Sequence, residues 1–365
     1  MTKPYQTCLD SPPILPEQLT SSADLRCVIT DTIKTLLQQT NHTLITPSEQ
    51  ILNPETFLNT LKTYPKVYQA SLSRQLAVDL PTNIEQTSLK DEPKDWFIKT
   101  ADFGDDCDRI LQHRDGEFTK LLEDIAYYHE IFQQGYDKII LIRPSIYTGY
   151  DIQLTAAMQA LGYTKEQFQF IIIQPIKLYA FHKPTQKIHP IPDIPTKELI
   201  QAIGIDALRW HSLRAPLTRS APINISTAGQ PTPADSLYRV QSAHAHCCTL
   251  LHQAHQQGII QLNMRSPDNW QIIPSPKQVI DYSWDSPQAQ TLVTQLQAVP
   301  QILQESAAEV APHLLCQHLE AISNTCHQWC NSLEPTTQDC ALLLAIKQTI
   351  FDLLENILGI TAPDG

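Results

Sequence analysis

The stretch GIDALRWHSLRAPLTRSAPINISTAGQPTPADSLYRVQSAHAHCC, residues 204–248, decides the fold of this chain of 365 residues. Near its start, apolar residues recur at three- and four-residue steps, which predicts a helix, at Ile203, Ala207 and Trp210. Four prolines follow, and each makes continuation of that helix costly. Asp235 or Ser236 can then cap a second helix, so the stretch predicts two helices joined by an irregular link.

Two motifs in this stretch resemble segments of the arginyl-tRNA synthetases, a class I family. The tetrapeptide Asp206-Ala207-Leu208-Arg209 matches the one that names their helical DALR anticodon-binding domain. About thirty residues later, a second segment is similar to the helix that follows in that family, Tyr238-Arg239-Val240-Gln241-Ser242-Ala243-His244-Ala245. Each motif alone is weak, but both in this order are specific.

The likeness covers about 270 residues, from Trp96 to the C-terminus. At the first end, the segments that resemble the family are Trp96-Phe97, Gly104-Asp105-Asp106-Cys107-Asp108-Arg109 and Arg114-Asp115-Gly116-Glu117-Phe118-Thr119. At the other end, Leu358-Gly359-Ile360 and Pro363 resemble the closing Leu-Gly-Ile-x-x-Pro. Asp115-Gly116 also predicts a hairpin turn on its own. The resemblance implies a degenerate paralogue that retains part of the catalytic domain and the DALR domain.

Apolar patterns divide the chain into a mixed part and a helical part. Helices predicted over 121–133 and 152–161 alternate with apolar runs over 139–142 and 168–174, and right-handed crossover makes the two strands neighbours or near-neighbours in one sheet. From residue 238 onward almost every segment has helical spacing. The predicted fold class is α/β, a partial Rossmann-like nucleotide-binding half, followed by an all-α helical-bundle domain of the DALR type.

Three domains follow from these patterns and from the resemblance. Residues 1–93, with helical spacing over 25–37 and 57–76, form a mostly helical N-terminal region without an assigned role. Residues 94–203 form a degenerate remnant of the synthetase catalytic domain. Residues 204–365 form the DALR domain.

The pair of residues that would bind a substrate arginine is altered. The resemblance implies that the helix after the Asp-Gly turn supplies a Tyr and, four residues later, an Asp that face the arginine. Here the Asp is Asp124, but the Tyr position is Lys120. An ammonium near a guanidinium costs on the order of 1–4 kcal/mol at surface-like dielectric, which argues against arginine as a ligand.

The motifs that bind ATP and substrate in the family are missing or rewritten. No tetrapeptide like His-Ile-Gly-His follows a strand, and the segment in the place of Gly-Ala-Asp-His-His-Gly-Tyr keeps only Gly149 and Tyr150. Residues 186–193 replace the Lys-Met-Ser-Lys loop, where Lys187 alone offers a phosphate contact. We therefore predict no catalytic residue, a substrate-binding remnant of Asp124, Gly149 and Tyr150, and no cofactor. ATP is required only under the alternative that the chain is an active arginine-tRNA ligase.

The DALR likeness implies tRNA as the partner, arginine tRNA in particular, and a second protein that acts on that tRNA. Loop bases are recognised by stacking and by hydrogen bonds to their edges, and the residues of suitable type are Trp210, Tyr238, Arg239, Gln241, His244 and Trp329. The candidate phosphate contacts are Arg209, Arg214 and Arg219. The alternative for Trp210 and Tyr238 is packing in the core.

The charge of the chain opposes nucleic-acid binding. The formal net charge is −12, and from residue 204 onward seven Lys and Arg face thirteen Asp and Glu. Phosphate contacts need cations, so a third hypothesis is a protein-interaction scaffold that does not bind RNA. The chain lacks an apolar window of about eighteen residues and an N-terminal signal-peptide pattern, which predicts a cytoplasmic location.

Histidines and cysteines form two local groups that could ligate zinc. They are His244, His246, Cys247 and Cys248 in one group, and Cys316, Cys326, His327 and Cys330 in the other. No Cys-x-x-Cys pair occurs in the chain, and such residues on amphipathic helices are usually packed thiols. The sequence therefore predicts no metal site.

Overall fold

The structure, a computed structural model, describes residues 5–10, 26–40, 42–45, 53–70, 94–264, 266, 269–331 and 333–364. The chain folds into two compact units: the first comprises Met1–Ser11 and His42–Ile172, and the second comprises Pro12–Asn41 and Ile173–Gly365. These units differ from the predicted ranges 94–203 and 204–365, because the strands after residue 173 belong to the second unit and N-terminal segments belong to both.

The secondary-structure elements are numbered in chain order. The strands are β1 (Tyr5–Asp10), β2 (His42–Ile45), β3 (Val67–Ala70), β4 (Asp95–Ile98), β5 (Arg109–Gln112), β6 (Lys138–Pro144), β7 (Phe168–Ile173), β8 (Lys177–His182), β9 (Lys187–Pro190), β10 (Pro222–Asn224), β11 (Gln261–Met264) and β12 (Trp270–Ile273). The helices are α1 (Arg26–Gln38), α2 (Pro54–Leu61), α3 (Lys120–Gln133), α4 (Thr148–Ala160), α5 (Thr196–Ile203), α6 (Ile205–Leu213), α7 (Ser236–Gln256), α8 (Pro287–Glu309), α9 (Pro312–Cys330) and α10 (Thr337–Phe351), followed by a π-helical turn (Asp352–Leu358).

A parallel sheet forms the centre of the first unit, with the strand order β2-β1-β6-β7. Its apolar run, Ile139 to Ile142 in β6, is buried on both faces, as expected for a strand covered by helices on each side. Strand β7 is the neighbour of β6, and α4 connects them. The predicted strand-helix-strand unit is confirmed.

The described part of the N-terminal region, predicted to be mostly helical, contains strands as well as helices. Helix α1 agrees with the predicted helix over 25–37, but β1 and β2 join the central sheet in parallel register. The helix predicted over 57–76 ends at Leu61, and β3 follows and pairs antiparallel with β4. Pro65 disfavours continuation of the helix, and pairing with neighbouring strands overrides the local helical spacing. Residues 71–76 lie outside the described part of the chain.

The Asp-Gly turn forms as predicted. Gly116 has a left-handed backbone with φ +94°, its amide donates to the carbonyl oxygen of His113 at 2.9 Å, and Gln112 bridges Phe118 antiparallel across the turn. A glycine tolerates that conformation at little cost. The turn leads directly into α3.

Helices dominate the second unit. Asp235 caps α7, since its Oδ1 accepts from the amide of Leu237 at 3.1 Å, and α7 packs against α9 and α10. The fully buried side chains of this core include Leu208, Trp210, Val240, Leu251, Leu319 and Ile346. Across the described residues, every helix is too short or too polar to cross a membrane.

Candidate functional site

Helix α3 positions the predicted substrate-binding carboxylate. Thr119 caps this helix, because its hydroxyl oxygen accepts from the amide of Leu122 at 3.4 Å. Lys120 and Asp124 follow one helical turn apart, so their side chains share a face. The Nζ of Lys120 lies 2.7 Å from Oδ1 of Asp124 and 3.5 Å from Oε2 of Glu123. Burial acts to lower the pKa of Lys120, but the hydrogen bond to Asp124 and the negative charges of Asp124 and Glu123 together raise it.

The second oxygen of Asp124 is also engaged. The hydroxyl of Tyr150, on α4, donates to Oδ2 of Asp124 at 2.6 Å. Burial, together with the Asp124 carboxylate, raises the pKa of Tyr150, so the ring remains a neutral donor. A guanidinium binds a carboxylate best when it reaches both oxygens. The chain's own Lys120 and Tyr150 occupy both.

The guanidinium of a buried arginine lies next to Tyr150. Arg143, at the end of β6, is 8% exposed, and its Nε lies 3.1 Å from Oδ1 of Asp151, which is 4% exposed. The Cζ of Arg143 is 5.8 Å from the centre of the Tyr150 ring. Burial raises the pKa of Asp151 to about 6, although Arg143 acts in the opposite direction. Sequence analysis missed this pair, for which the only signal was a charged residue at the end of an apolar strand.

Burial leaves this ion pair incompletely satisfied. The Oδ2 of Asp151 and one terminal nitrogen of Arg143 are buried without a hydrogen-bond partner among the described residues. A buried polar atom without a partner costs on the order of 1–3 kcal/mol. The pair is therefore sensitive to the charge state of Asp151.

A cavity of about 480 Å³ adjoins the ion pair. Asp151 and Thr155 of α4 line it, together with aromatic and aliphatic side chains of β7 that include Phe168, Phe170 and Ile172. Asp124 and Tyr150 are absent from its lining. This cavity therefore does not expose the remnant carboxylate to a ligand.

The segment in the place of the Lys-Met-Ser-Lys loop is a strand. Residues 187–190 form β9, which pairs antiparallel with β8, so that Lys187 lies opposite His182 and Ile188 opposite Phe181. Both β9 and the turn before it are exposed. Lys187 thus lies on a hairpin, and its contact with a phosphate stays a prediction.

Three of the predicted tRNA contacts hold the C-terminal segment, residues 359–364. Arg209 donates through Nε to the carbonyl oxygen of Val28 at 3.0 Å and through a terminal nitrogen to that of Gly359. The side-chain amide of Gln241 donates to the carbonyl oxygen of Thr361 at 2.7 Å. The Nδ1 of His244 lies 2.8 Å from the carbonyl oxygen of Pro363.

Asp206 completes this set. Its Oδ2 accepts from the amide of Thr361 at 3.1 Å, one helical turn before Arg209 on α6. The two charged residues of the Asp-Ala-Leu-Arg tetrapeptide therefore both bind the backbone of the C-terminal segment. Gln241 and His244 of the second motif bind the same C-terminal segment. The two motifs that resemble the family therefore pack against one common segment.

Two predicted stacking residues are core side chains. Trp210 is fully buried, and its Nε1 donates to the hydroxyl of Ser236 at 2.9 Å. Trp329 is 8% exposed and meets Trp284 edge-to-face with 6.4 Å between ring centres. Both rings are buried in the helical core, as in the packing alternative for Trp210, and their stacking on RNA stays a prediction. His244 is also fully buried.

The remaining predicted tRNA contacts differ in exposure and in their partners within the chain. Arg214 forms an ion pair with Glu320 of α9, which neutralises it within the domain. Arg219 is exposed, and Tyr238 is half-buried. Arg239 is half-buried and donates to the carbonyl oxygen of Pro233 at 2.7 Å, which leaves its charge uncompensated by an acid in the described contacts. Arg219, Tyr238 and Arg239 are thus predicted tRNA contacts that are at least partly exposed and have no acidic partner in the described contacts.

The comparisons with known proteins point in one direction. A family model described as the DALR anticodon binding domain matches residues 240–365. An arginine-tRNA ligase of Oceanobacillus iheyensis is 30% identical over 278 residues, which are 74% of this chain and 47% of the relative. An arginine-tRNA ligase of Bacillus subtilis is 28% identical over 284 residues, with the same two shares. The chain therefore spans about half the length of these relatives.

Solved structures agree at the level of the fold. A crystal structure described as an arginyl-tRNA synthetase of Campylobacter jejuni matches with a TM-score of 0.72 at 15% identity, over 99% of this chain and 94% of that one. The Thermus thermophilus arginyl-tRNA synthetase matches with a TM-score of 0.61 at 14% identity, over 92% of this chain and 62% of that one. The predicted combination of a partial Rossmann-like half with a helical DALR domain is confirmed.

Proposed function

Because this chain resembles arginine-tRNA ligases in sequence and arginyl-tRNA synthetases in fold, we propose that it is a tRNA-binding protein without aminoacylation activity. In this proposal the DALR domain recognises tRNA, arginine tRNA in particular, and a second protein acts on the bound tRNA. Binding requires no cofactor. The relatives are arginine-tRNA ligases, and the matching family model is an anticodon-binding domain, which supports tRNA as the partner.

The proposed lack of aminoacylation activity rests on the contacts of Asp124. Both of its oxygens are engaged, by Lys120 at 2.7 Å and by Tyr150 at 2.6 Å. A substrate guanidinium would have to displace an ammonium that forms an ion pair and then remain beside it. Two like charges about 4 Å apart repel by about 1–4 kcal/mol at effective dielectrics between water and a protein surface. The site thus disfavours the amino acid that the relatives activate.

The rewritten hairpin supports the same proposal. The family loop in that position stabilises the ATP transition state, and electrostatic groups of this kind contribute a large share of the rate. In this chain the segment is paired as β9 with β8. Strand pairing restricts the motion that a catalytic loop uses to close over its substrate.

The decisive experiment has two parts. The first is ATP–pyrophosphate exchange with and without arginine, in which we expect no arginine-dependent exchange. Arginine-dependent exchange would instead establish the alternative, an active arginine-tRNA ligase that uses ATP. The second is binding of the purified protein to a panel of unmodified tRNAs, arginine acceptors included, at two salt concentrations. Preference for arginine tRNA that survives moderate salt is the expected result.

A second candidate function is a protein-interaction scaffold without RNA binding. The charge balance favours it, since the chain carries −12 and Arg214 is neutralised by Glu320. Arg209 is also engaged by backbone carbonyls within its own unit. Weak binding to every tRNA that disappears at moderate salt would favour this candidate over tRNA recognition.

A further inference from the structure

We propose that one face of the β8–β9 hairpin, formed by His182, Lys187 and His189, binds the phosphate backbone of RNA. It is a second RNA contact, outside residues 240–365 that match the anticodon-binding model, and it presupposes the proposed tRNA binding. The hairpin comprises residues 177–190 and belongs to the same compact unit as the DALR helices.

The charge of this hairpin is opposite to that of the chain. Residues 167–192 contain no Asp or Glu, whereas the chain as a whole carries −12. The same range contains two histidines and three lysines, Lys177, Lys183 and Lys187. Among the residues that the structure describes, none of these lysines forms an ion pair. The hairpin is therefore a local positive surface with the free cations that a polyanion needs.

The hairpin is exposed, and its backbone is held in place. Every residue from 181 to 190 is exposed. Strand β9 pairs with β8, and β8 also pairs in parallel with β10 on its other side. The amide of Phe181 donates to Oγ of Ser226 at 2.9 Å. A backbone that is already ordered loses little further freedom on binding, which favours affinity.

Three basic side chains share one face of the hairpin. Directly opposite residues of an antiparallel pair lie on the same face, and so do residues two apart on one strand. Lys187 lies opposite His182, and His189 is two residues beyond Lys187 on β9. Thr185 joins the two histidines, because its Oγ1 lies 3.0 Å from Nδ1 of His182 and 2.7 Å from Nε2 of His189. The face thus places an ammonium beside two ordered imidazoles.

The polar atoms that remain on this face suit phosphate oxygens. Each histidine uses one ring nitrogen for Thr185, which leaves Nε2 of His182 and Nδ1 of His189 without a hydrogen bond in the described part of the chain. An ammonium donates three hydrogen bonds, and an imidazole N–H donates one. Phosphate oxygens of a nucleic-acid backbone accept such bonds, and they carry the negative charge that this face lacks.

The DALR helices favour RNA over a free nucleotide as the partner. A tRNA held by these helices is tethered to the unit that also carries the hairpin. Tethering raises the effective concentration of backbone phosphates at a second contact on the same unit. A weak contact with His182, Lys187 and His189 then adds measurably to the affinity for tRNA.

The opposite face of the hairpin is apolar. Phe181 lies opposite Ile188, and these side chains are 44% and 57% exposed. Such a cross-strand pair stabilises the hairpin but offers no charge to a phosphate. Ile188 therefore provides a control position on the same strand as Lys187.

The test is binding of a fluorescently labelled arginine-tRNA transcript to the full chain, measured by anisotropy over a range of salt concentrations. Lys187→Gln should weaken binding roughly three- to tenfold and reduce the slope of log K against log salt by about 0.7–0.9. Lys187→Arg, which keeps the charge, should bind like the parent. Lys183→Gln removes an equal charge from the turn, and Ile188→Thr alters only the apolar face, so both should also bind like the parent.

Hydroxyl-radical footprinting of the bound tRNA locates the contact. The parent should protect a segment of RNA backbone outside the anticodon stem and loop, and this protection should disappear in Lys187→Gln. Millimolar ATP should leave it in place. Loss of the protection with ATP would assign the face to a free nucleotide and overturn the proposal.

The remaining outcomes separate this contact from tRNA binding as such. Binding by the parent with an unchanged slope in Lys187→Gln overturns the hairpin contact and leaves the proposed function intact. Equal losses in Lys187→Gln and Lys183→Gln also overturn it, because diffuse charge would then replace a defined face. A loss in Ile188→Thr would place the contact on the apolar face instead. A parent chain that binds no tRNA overturns both proposals.

Discussion

The ammonium of Lys120 lies 2.7 Å from the carboxylate of Asp124, one helical turn along α3. Lys120 is largely exposed, so this ion pair adds little to stability, on the order of 0–1 kcal/mol. Its consequence is for binding, because a positive charge occupies the carboxylate that a guanidinium would need. The contact depends on the four-residue spacing of Lys120 and Asp124 on one helix, and not on how that helix packs in the unit.

The first prediction is that Lys120→Tyr raises the affinity of the chain for L-arginine. Removal of about 1–4 kcal/mol of repulsion should tighten binding about fivefold or more, which isothermal titration calorimetry measures directly. Lys165→Tyr, at the rim of the cavity, removes an equal charge away from Asp124 and should have no effect. Wild-type affinity equal to that of Lys120→Tyr would contradict the interpretation of Asp124 as a blocked site.

The second prediction concerns pH. The pKa of Asp151 is about 6 in the folded chain and its ordinary value is 3.8, so the folded state takes up a proton that the unfolded state does not between these values. The free energy of unfolding should therefore rise as the pH falls from 6 towards 4, by about 3 kcal/mol at most. Urea unfolding at pH 4.5 and pH 7 measures the rise.

Asp151→Asn should abolish this rise, because an amide does not titrate. Asp193→Asn, which replaces an exposed carboxylate, is the matched control and should keep the wild-type difference between the two pH values. A rise of the same size in Asp151→Asn would assign it to other groups.

The sequence predicts an element of this fold when local residues stabilise it, and fails when contacts with distant segments do. Strand β6 was predictable because Ile139 to Ile142 form a continuous apolar run, and α7 because Asp235 caps it. Strands β1 and β2 were not predicted, because these short strands are stabilised by pairing with segments distant in sequence, β1 with both β2 and β6. Apolar runs and helix caps predict the elements in which they lie, but they do not predict which distant strands pair.

The same distinction applies to the candidate sites. The pairing of Lys120 with Asp124 follows from their spacing on one helix. Sequence analysis chose Arg209, Gln241 and His244 as RNA contacts, which stays a prediction. They bind backbone groups of residues 359–364, which are more than a hundred residues distant in sequence. A motif shows that a side chain has a specific partner, and only the fold shows which one.

The third prediction follows from the contacts of Arg209. Arg209→Ala removes charged hydrogen bonds to the carbonyl oxygens of Val28 and Gly359. Each such bond contributes about 1.5–3 kcal/mol, so the free energy of unfolding should fall by at least 2 kcal/mol in urea titrations. Arg219→Ala, at an exposed position, should change it by less than about 0.5 kcal/mol. Equal effects of the two variants would show that Arg209 does not anchor the C-terminal segment.

The fourth prediction tests the RNA surface at Arg219 and Arg239. If Arg219 contacts a phosphate, Arg219→Gln should weaken binding to all tRNAs alike and reduce the slope of log K against log salt by about 0.7–0.9. Arg239→Gln should instead reduce the preference for arginine tRNA if its side chain reads a base. Lys183→Gln makes the same charge change on the exposed turn between β8 and β9 and should leave both quantities unaltered. An unchanged slope in Arg219→Gln would remove that residue from the interface.

The fifth prediction concerns Gly229, which lies in the link between α6 and α7. Its backbone is left-handed with φ +71°, and an added Cβ would lie 2.0 Å from the carbonyl oxygen of Ile203. The amide of Gly229 also donates to Oδ2 of Asp235 at 2.7 Å, so any shift of this backbone disturbs the residue that caps α7. A side chain at position 229 must therefore displace the backbone of Ile203 and weaken the cap that Asp235 forms on α7.

Gly258 provides the matched control for this clash. It has a similar backbone, with φ +73°, but a Cβ there meets nothing within 4 Å. Gly258→Ala should therefore cost only the left-handed conformation, about 1–2 kcal/mol. Gly229→Ala carries the same cost plus the collision with Ile203, so its free energy of unfolding should be lower than that of Gly258→Ala by at least 2 kcal/mol. Equal urea midpoints for the two variants would mean that the link has room to move, and that the start of α7 does not depend on the close approach of Gly229 to α5.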